Sequence, residues 1–227
     1  MRKDGLEMYK NYIFDLYGTL VDIRTDEEKD ELWVKMAKMY GEAGAVYAPD
    51  ALRAAYVDGC RRAEKVMRRE TGLEYPEIEI GEVFSELFGR KGVRAEREAV
   101  DGLAYRFRRL SREYMRLYEG AERLLEGLKA DGKRIYLLSN AQRVFTVPEI
   151  RETGIEKYFD DIFISSDFGM KKPEKRYMEA LIGKHGLEKE ECLMIGNEEE
   201  SDVAVAARCG VDSLLVKDGD YSGILLR

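Results

Sequence analysis

The fold is decided by one stretch near the amino terminus, Tyr12-Ile13-Phe14-Asp15-Leu16-Tyr17-Gly18-Thr19. Its short apolar run is bounded by glycine, which is typical of a buried β-strand that leads into a loop. An aspartate at the end of such a strand is exposed enough to react, and Gly18 opens the turn behind it. The stretch therefore predicts a strand followed by a nucleophilic carboxylate at Asp15.

Four more short apolar runs follow, at residues 134–138, 162–164, 192–195 and 213–216, and patterns typical of helices lie between them. Strands that alternate with helices imply right-handed crossovers and a parallel sheet. We therefore expect an α/β fold whose core is a Rossmann-like parallel sheet.

The stretch between residues 22 and 118 interrupts this alternation, because it is charged, glycine-punctuated and helical in pattern. One continuous helical face is indicated by five residues spaced alternately by four and three: Leu103, Phe107, Leu110, Tyr114 and Leu117. We expect residues 1–21 and 119–227 to form the α/β core, and residues 22–118 to form an inserted helical subdomain.

Composition narrows the class of protein. The chain has 227 residues, of which 44% are hydrophobic and 37% charged, an ordinary globular composition. A net charge of −7 argues against nucleic-acid binding but allows a small anionic substrate. No apolar run is long enough to span a membrane, and no apolar leader follows residues 1–5.

The cysteines Cys60, Cys192 and Cys209 have no metal-type spacing, and we expect them to be reduced and buried. These features predict a cytoplasmic protein with neither membrane nor nucleic-acid partners.

Four polar clusters follow the predicted strands: Asp15 to Thr19, Ser139-Asn140, Lys171-Lys172-Pro173, and Gly196-Asn197-Glu198 with Asp202. In an open α/β sheet the carboxyl ends of the strands converge on one crevice, so these clusters can meet in space. The chain has a single histidine, so its chemistry must come from carboxylates, lysines or a metal ion.

The order Asp-x-x-Gly-Thr, Ser-Asn, Lys-Pro and Gly-Asn with a following Asp resembles the haloacid dehalogenase (HAD) superfamily. The resemblance covers nearly the whole chain, and residues 22–118 are similar to the helical cap that many members insert after the first motif. It implies a hydrolase with Asp15 as nucleophile, and catalytic roles for Thr19, Ser139, Asn140 and Lys172. It also implies a monomer or a homodimer, since relatives with such a cap occur as both.

The residue types suit that chemistry. A carboxylate such as Asp15 can attack a phosphorus or carbon centre and form a covalent intermediate that water later hydrolyses. The hydroxyls of Thr19 and Ser139, with backbone N–H groups, can cradle a tetrahedral anion. A lysine beside Asp15 would keep it ionised. The superfamily places that lysine directly before proline, which favours Lys172 over Lys171.

The acidic stretch after Gly196 resembles the magnesium-binding motif of the superfamily. Mg²⁺ prefers oxygen ligands and usually keeps several waters, with one or two protein carboxylates. The resemblance implies Asp15, the backbone carbonyl of Tyr17 and Asp202 as ligands. Either Asn197 or Glu198 would complete the set, and the spacing leaves both open.

Two departures from the superfamily pattern point in opposite directions. Phosphatases carry a second aspartate two residues after the nucleophile as general acid and base, where this chain has Tyr17. A phenol with a pKa of about 10 is a poor substitute at that position, and Asp-x-Tyr-Gly-Thr resembles the 2-haloacid dehalogenases. The spacing of Asn197 and Asp202 resembles the phosphatases instead, and Met178 stands where dehalogenases place a tyrosine.

Three functions therefore remain open. We rank first a Mg²⁺-dependent phosphatase that acts on a small phosphorylated metabolite. The alternatives are a metal-independent 2-haloacid dehalogenase and a non-catalytic or weakly active relative.

The cap is expected to set specificity, since an arginine there could grip an anionic group through two hydrogen bonds. Arg24 is the candidate nearest the first motif. The others are Arg61, Arg62, Arg68, Arg69, and the trio Arg109, Arg112 and Arg116 on one expected helix face. We expect most of them to be solvated partners of glutamates. We expect packing roles for the cap aromatics Trp33, Tyr40, Tyr47 and Tyr56.

Overall fold

A computed structural model describes residues 9–225 and places a five-stranded parallel sheet at the centre of the fold. Its strands are β1 (Asn11–Phe14), β4 (Arg134–Ser139), β5 (Asp161–Ile164), β6 (Cys192–Gly196) and β7 (Asp212–Leu215), in the order β5-β4-β1-β6-β7. This sheet confirms the predicted α/β, Rossmann-like fold. The expected core limits at residues 1 and 227, and the segment 1–5, lie outside the described residues.

β1 lies in the middle of the sheet, with β4 on one side and β6 on the other. After β1 the chain builds β4 and β5 on one side, then crosses to build β6 and β7 on the other. Such a reversal opens a crevice at the carboxyl ends of the strands. The end of β1, where Asp15 follows, lies at that crevice.

Alternation along β1 divides the core between the two faces of the sheet. Phe14 packs in one buried cluster with Leu125 and Ile195, whereas Ile13 packs in another with Leu181. Both faces of β1 are covered, which explains why its four residues are all buried.

Four helices follow the first motif: α1 (Asp30–Glu42), α2 (Pro49–Thr71), α3 (Ile80–Gly89) and α4 (Arg97–Ser111). They enclose an apolar cluster of their own, in which Trp33, Tyr40 and Tyr56 are buried. Tyr47 is half-buried and donates a hydrogen bond to a backbone carbonyl of α3 at 2.6 Å. The expected packing role of these aromatics is confirmed. The separate cluster supports our proposal that residues 22–118 form a cap, which Phe145 of the core joins.

A two-stranded antiparallel ribbon connects these helices to the core. β2 (Val21–Thr25) pairs with β3 (Arg112–Leu117), which begins where α4 ends at Ser111. The predicted helical face through Tyr114 and Leu117 is therefore wrong. In the strand, Met115 and Leu117 share one face and pack on the core cluster, while Tyr114 is exposed. Pairing with a distant strand thus outweighs the local helical spacing.

The remaining helices flank the sheet: α5 (Ala121–Ala130), α6 (Arg143–Thr153), α7 (Ser165–Phe168), α8 (Lys175–His185), α9 (Ala204–Cys209) and α10 (Ser222–Leu225). The three cysteines are free thiols, with Cys192 and Cys209 buried and Cys60 partly exposed. Between residues 9 and 225, none of the helices has both the length and the apolar character needed to cross a bilayer.

Candidate active site

Four polar segments meet at the carboxyl edge of the sheet. Asp15 follows β1, Ser139 ends β4, and Lys172 lies in the loop after β5 and α7. Asp202 lies in a π-helical turn, Glu199–Val203, which follows β6. Because β4, β1 and β6 are neighbours, the sheet brings these segments side by side.

The Lys172 ammonium lies between two carboxylates. Its Nζ donates to Asp15 Oδ1 at 2.7 Å and to Asp202 Oδ1 at 2.6 Å. None of the three side chains is more than 10% exposed. The backbone N–H of the neighbouring Lys171 donates to the carbonyl of Tyr75 at 3.0 Å. Burial raises the pKa of the Glu77 carboxyl, and the positive charge of Lys171 opposes that rise. The lysine that contacts Asp15 is thus Lys172.

Burial and charge tune this cluster. Burial raises the pKa of the Asp15 carboxyl to about 6, the Lys172 ammonium opposes that rise, and the Asp202 carboxylate adds to it. Burial alone would lower the pKa of Lys172, but the two carboxylates outweigh it and raise that pKa. At neutral pH Asp15 is therefore ionised and Lys172 is charged. With two negative groups and one positive group, the cluster carries a net charge of −1.

The loop after Asp15 is a tight turn that requires glycine. Gly18 has a φ of +81°, and a Cβ there would lie 2.5 Å from Asn197 Nδ2. The bare glycine lets Asn197 approach, and its Oδ1 accepts from Thr19 Oγ1 at 3.1 Å. Thr19 Oγ1 also lies 3.4 Å from Asp15 Oδ2. The Tyr221 hydroxyl donates to the Thr19 carbonyl at 2.6 Å, which fixes the loop from the other side.

Ser139 and Asn140 occupy different roles in the geometry. Asn140 Oδ1 accepts from the Lys172 N–H at 2.7 Å, and its Nδ2 donates to the Lys172 carbonyl at 3.1 Å. Asn140 therefore fixes the backbone at Lys172. Ser139 Oγ is buried and, among residues 9–225, has no hydrogen-bond partner. A buried hydroxyl left unpaired costs about 1–3 kcal/mol, so Ser139 offers a hydroxyl to a ligand.

Asn197 and Glu198, the two alternative metal ligands, lie in different surroundings. Asn197 contacts Thr19 in the loop after Asp15, whereas the Glu198 side chain is exposed and accepts from Ser201 Oγ at 2.8 Å. Glu198 acts through its backbone, since its N–H donates to Asp202 Oδ2 at 3.0 Å. Asp202 can lie close to the backbone of β6 because residue 196 is glycine. A Cβ at Gly196 would lie 2.2 Å from the Asp202 carboxyl carbon.

The donor set at this edge is compatible with Mg²⁺. It offers carboxylate oxygens from Asp15 and Asp202, the amide oxygen of Asn197 and the carbonyl of Tyr17, all of them the hard oxygen ligands that Mg²⁺ prefers. No cluster of three or more His, Cys, Asp or Glu side chains suited to a metal occurs in the described part of the chain. Mg²⁺ does not require one, because it commonly uses one or two carboxylates and retains waters.

The Tyr17 hydroxyl is occupied by other side chains and is not free for acid–base chemistry. Its hydroxyl donates to the Glu149 carboxylate in a short hydrogen bond and contacts Thr146 Oγ1 at 3.1 Å. The Glu149 carboxylate also accepts two hydrogen bonds from Arg108, from Nε to Oε1 at 2.8 Å and from Nη2 to Oε2 at 3.2 Å. Burial and the Glu149 charge raise the pKa of Tyr17 far above its ordinary value. The phenol therefore stays protonated and cannot act as a base at neutral pH.

Glu149, Thr146 and Arg108 were absent from the sequence prediction. One signal could have indicated Glu149, since α6 buries residues at helical spacing, Phe145, Thr146, Glu149 and Ile150. A carboxylate on that buried face calls for buried partners.

The cap arginines singled out from the sequence have other partners. Arg24 is 69% exposed and pairs with Glu113 at 3.0 Å. Arg61, Arg68 and Arg69 are exposed, and Arg62 is an exposed partner of Asp58 and Glu86.

The expected shared helix face of Arg109, Arg112 and Arg116 is wrong. Arg109 lies on α4, but pairing with β2 turns the next segment into β3, which carries Arg112 and Arg116. Arg109 and Arg112 pair with Glu152 of α6, at 3.2 Å and 2.7 Å, and Arg116 pairs with Asp22 at 2.8 Å.

A segment of the cap between α2 and α3 is joined to the loop that carries Lys172. Pro76 forms an antiparallel bridge with Met170, and Gln142 Nε2 donates to the carboxylate of Glu77 at 3.0 Å. The same carboxylate accepts from Ser165 Oγ at 2.8 Å. The cap therefore contacts the core on the lysine side of the site as well as through α4.

Comparison with known proteins agrees with this geometry. The model of the haloacid dehalogenase-like hydrolase family matches residues 9–210. A pyrimidine 5'-nucleotidase from Streptococcus pneumoniae is 28% identical over 214 residues, which cover 91% of this chain and 83% of that protein. A 5'-nucleotidase from Pseudomonas aeruginosa is 26% identical over 218 residues, covering 92% and 83%.

Among solved structures, a HAD family enzyme from Bacteroides thetaiotaomicron superposes with a TM-score of 0.59 at 22% identity. The match covers 96% of this chain and 99% of that one, and it shows a shared fold. With the family match over most of the chain, these findings establish that the chain belongs to the haloacid dehalogenase-like hydrolase family.

Proposed function

We propose that this hydrolase is a Mg²⁺-dependent phosphatase, with Asp15 as its nucleophile and a small phosphorylated metabolite as its substrate. The observation that carries the proposal is the pair of buried carboxylates, Asp15 and Asp202, that share the single ammonium of Lys172. Their net charge of −1 repels a phosphoryl dianion unless a further positive charge is present. A divalent cation would reverse the sign of the cluster, and the oxygen ligands for one are at hand.

The residues of the chain supply the remaining parts of the reaction. Lys172 Nζ donates to Asp15 Oδ1, and the Leu16 backbone N–H also donates to the carboxyl. Among side chains of residues 9–225, Oδ2 has only the long 3.4 Å contact with Thr19, so we assign the attack on phosphorus to Oδ2. A bond forms between that oxygen and phosphorus while the P–O ester bond breaks, which leaves a phosphorylated Asp15. The ester oxygen departs as an oxyanion and takes its proton from solvent. Water then attacks that phosphorus, the Asp15 carboxylate leaves, and the proton of the water passes to solvent as phosphate is released.

Lys172 and the Ser139 hydroxyl would offset the charge that develops on the transferring phosphoryl oxygens. Asn140 holds the Lys172 backbone in place for that role. We assign the metal position to Asp15, Asp202, Asn197 and the Tyr17 carbonyl, and we leave out the exposed Glu198 side chain. A bound Mg²⁺ would supply charge stabilisation to the phosphoryl group.

The named relatives support a phosphorylated substrate, since the two similar proteins are a pyrimidine 5'-nucleotidase and a 5'-nucleotidase. We extend to this chain only the broader class, a small phosphorylated metabolite. The free thiols support the further proposal of a cytoplasmic location. The expectation of a monomer or homodimer stays a prediction.

Tyr17 favours a second candidate, the metal-independent 2-haloacid dehalogenase. Its hydroxyl is bound to Glu149 and so is unavailable to protonate an ester oxygen, whereas a halide leaves without a proton. In that reaction Asp15 would displace halide from carbon and form an ester that water hydrolyses.

The test is hydrolysis of p-nitrophenyl phosphate with and without Mg²⁺, beside the Asp15→Asn variant. Nitrophenolate departs without a proton, so the phenol at Tyr17 cannot mask activity. Mg²⁺-dependent turnover that disappears in the variant is the expected result. Retained turnover in Asp15→Asn would refute the proposal. Halide release from 2-chloro acids without phosphatase activity would establish the dehalogenase, and neither activity would favour a non-catalytic relative.

A further inference from the structure

We propose that Glu149 is a positioning residue for the nucleophile loop, residues 16–20, and that Arg108 of α4 supports it in that role. Glu149 has no part in the reaction described above. Its kinetic test rests on the proposed function, and its structural test does not depend on any activity.

The first observation is the burial of a charge. Glu149 is 1% exposed on the inner face of α6, where its helix neighbours Phe145 and Ile150 are buried too. Taking a carboxylate out of water is costly unless partners replace the water. The partners of Glu149 therefore show what the residue does.

Those partners come from two other parts of the chain. Tyr17, two residues after Asp15, donates its hydroxyl to Glu149. Arg108, in the last turn of α4, meets both oxygens of the carboxylate, and its guanidinium lies 5.4 Å from the centre of the Tyr17 ring. Arg112, at the start of β3, lies 3.8 Å away. One buried carboxylate thus joins the nucleophile loop, a core helix and the cap.

The contact between Glu149 and Tyr17 lies within the nucleophile loop, near its start. The backbone of that loop is a tight turn in which Leu20 N–H and Val21 N–H both donate to the Leu16 carbonyl. Glu149 anchors the turn from outside through the phenol. A loop that carries a nucleophile loses rate steeply when it shifts, and a misplacement of about 1 Å can cost about 100-fold.

The contact with Arg108 makes this anchor depend on the cap. Arg108 lies on α4 and Glu149 on α6, so separation of these helices removes the guanidinium and admits water to the carboxylate. A hydrated Glu149 no longer needs the phenol, because water supplies the hydrogen bonds in its place. Loss of the Arg108 contact should therefore loosen the nucleophile loop in the same direction as loss of Glu149.

The chain contains a matched control for this link. Arg109 and Glu152 join the same two helices at 3.2 Å, but their side chains are 51% and 40% exposed and neither contacts Tyr17. An exposed pair of this kind contributes little to stability. Arg109→Gln therefore removes a cap–core ion pair and leaves the Glu152–Arg112 pair and the Glu149 contacts in place.

The structural test is amide hydrogen exchange in the free enzyme. Glu149→Gln should speed exchange at residues 18–21 by at least about tenfold, whereas Arg109→Gln should leave it within about twofold of the native rate. Equal exchange in the two variants would refute the proposal. If Glu149→Gln does not fold, the Arg108→Gln/Glu149→Gln double variant, which buries no unpaired charge, takes its place with the same expectation.

The kinetic test uses a double-variant cycle on p-nitrophenyl phosphate. Glu149→Gln should lower kcat/KM by about 10- to 100-fold, and Arg109→Gln should leave it within about twofold. Adding Tyr17→Phe to Glu149→Gln should cause little further loss, because both changes break the same anchor. Fully multiplicative losses would show that Glu149 does not act through Tyr17. Absence of turnover in the native enzyme would refute the proposed function, and the exchange result would still decide this one.

Discussion

Lys172 offers the sharpest test of how the site is held together. Lys172→Met keeps the length of the side chain and removes the ammonium that donates to Asp15 and Asp202. Both carboxylates would remain buried without a counter-charge. Breaking a buried ion pair in this way costs about 3–5 kcal/mol of unfolding free energy. For a chain of this size each kcal/mol lowers Tm by about 2–4 °C, so we expect Tm to fall by about 6–20 °C.

The same variant should disable the nucleophile at neutral pH. Burial and Asp202 raise the pKa of Asp15, and Lys172 opposes that rise. Without the ammonium the pKa must climb above about 6, so the carboxyl is protonated where the native enzyme is ionised. We expect turnover at neutral pH to fall by at least about 100-fold and to recover in part as the pH rises.

The assay is a thermal melt beside p-nitrophenyl phosphate hydrolysis, with Lys171→Met as the matched control. Lys171→Met keeps the backbone N–H contact with Tyr75 and removes a charge that acts on Glu77. Glu77 retains its hydrogen bonds from Gln142 and Ser165, so this variant should melt within about 4 °C of the native protein. A Lys172→Met protein that melts like the control and hydrolyses substrate at the native rate would refute the assignment of the ion pair.

Four further results are expected. The kcat/KM profile should rise with pH and level off above about 6, because Asp15 must be ionised and burial raises its pKa to about 6; a profile that falls with rising pH across this range would contradict the assignment. Gly196→Ala should abolish most activity, at least about 100-fold, because its Cβ would lie 2.2 Å from the Asp202 carboxyl carbon. Gly127→Ala in α5, with no atom within 4 Å, should instead raise the unfolding free energy by about 0.5–1 kcal/mol in a urea titration. Tyr221→Phe should lower it by about 1–3 kcal/mol, since a buried carbonyl of the nucleophile loop loses its donor.

The sheet was predictable because each of its strands is a short apolar run that can be recognised from the local sequence. A short apolar run that ends in Asp15 and Gly18 can bury both faces only within a covered parallel sheet, and the structure confirms this. The meeting of Asp15, Ser139, Lys172 and Asp202 follows from the same rule, because strand ends converge at one edge. Their catalytic roles stay predictions until turnover is measured.

Other features depend on contacts between distant residues and could not be obtained from spacing. Leu117 continues the helical spacing of α4, yet pairing with β2 makes it part of a strand. Asn197 and Glu198 are adjacent and similar in chemistry, and only the approach of Asn197 to Gly18 distinguishes them. Glu149 acquires its role from Arg108 and Tyr17, which lie far from it in the chain.

The central claim is that the Asp15 carboxylate attacks the substrate. The most direct measurement is to quench the enzyme during turnover of p-nitrophenyl phosphate with Mg²⁺ and map the covalent adduct by peptide mass spectrometry. We expect a phosphoryl group on the peptide that contains Asp15, and no such group in the Asp15→Asn variant. Steady turnover with the phosphoryl group on another residue, or an adduct that persists in Asp15→Asn, would contradict it.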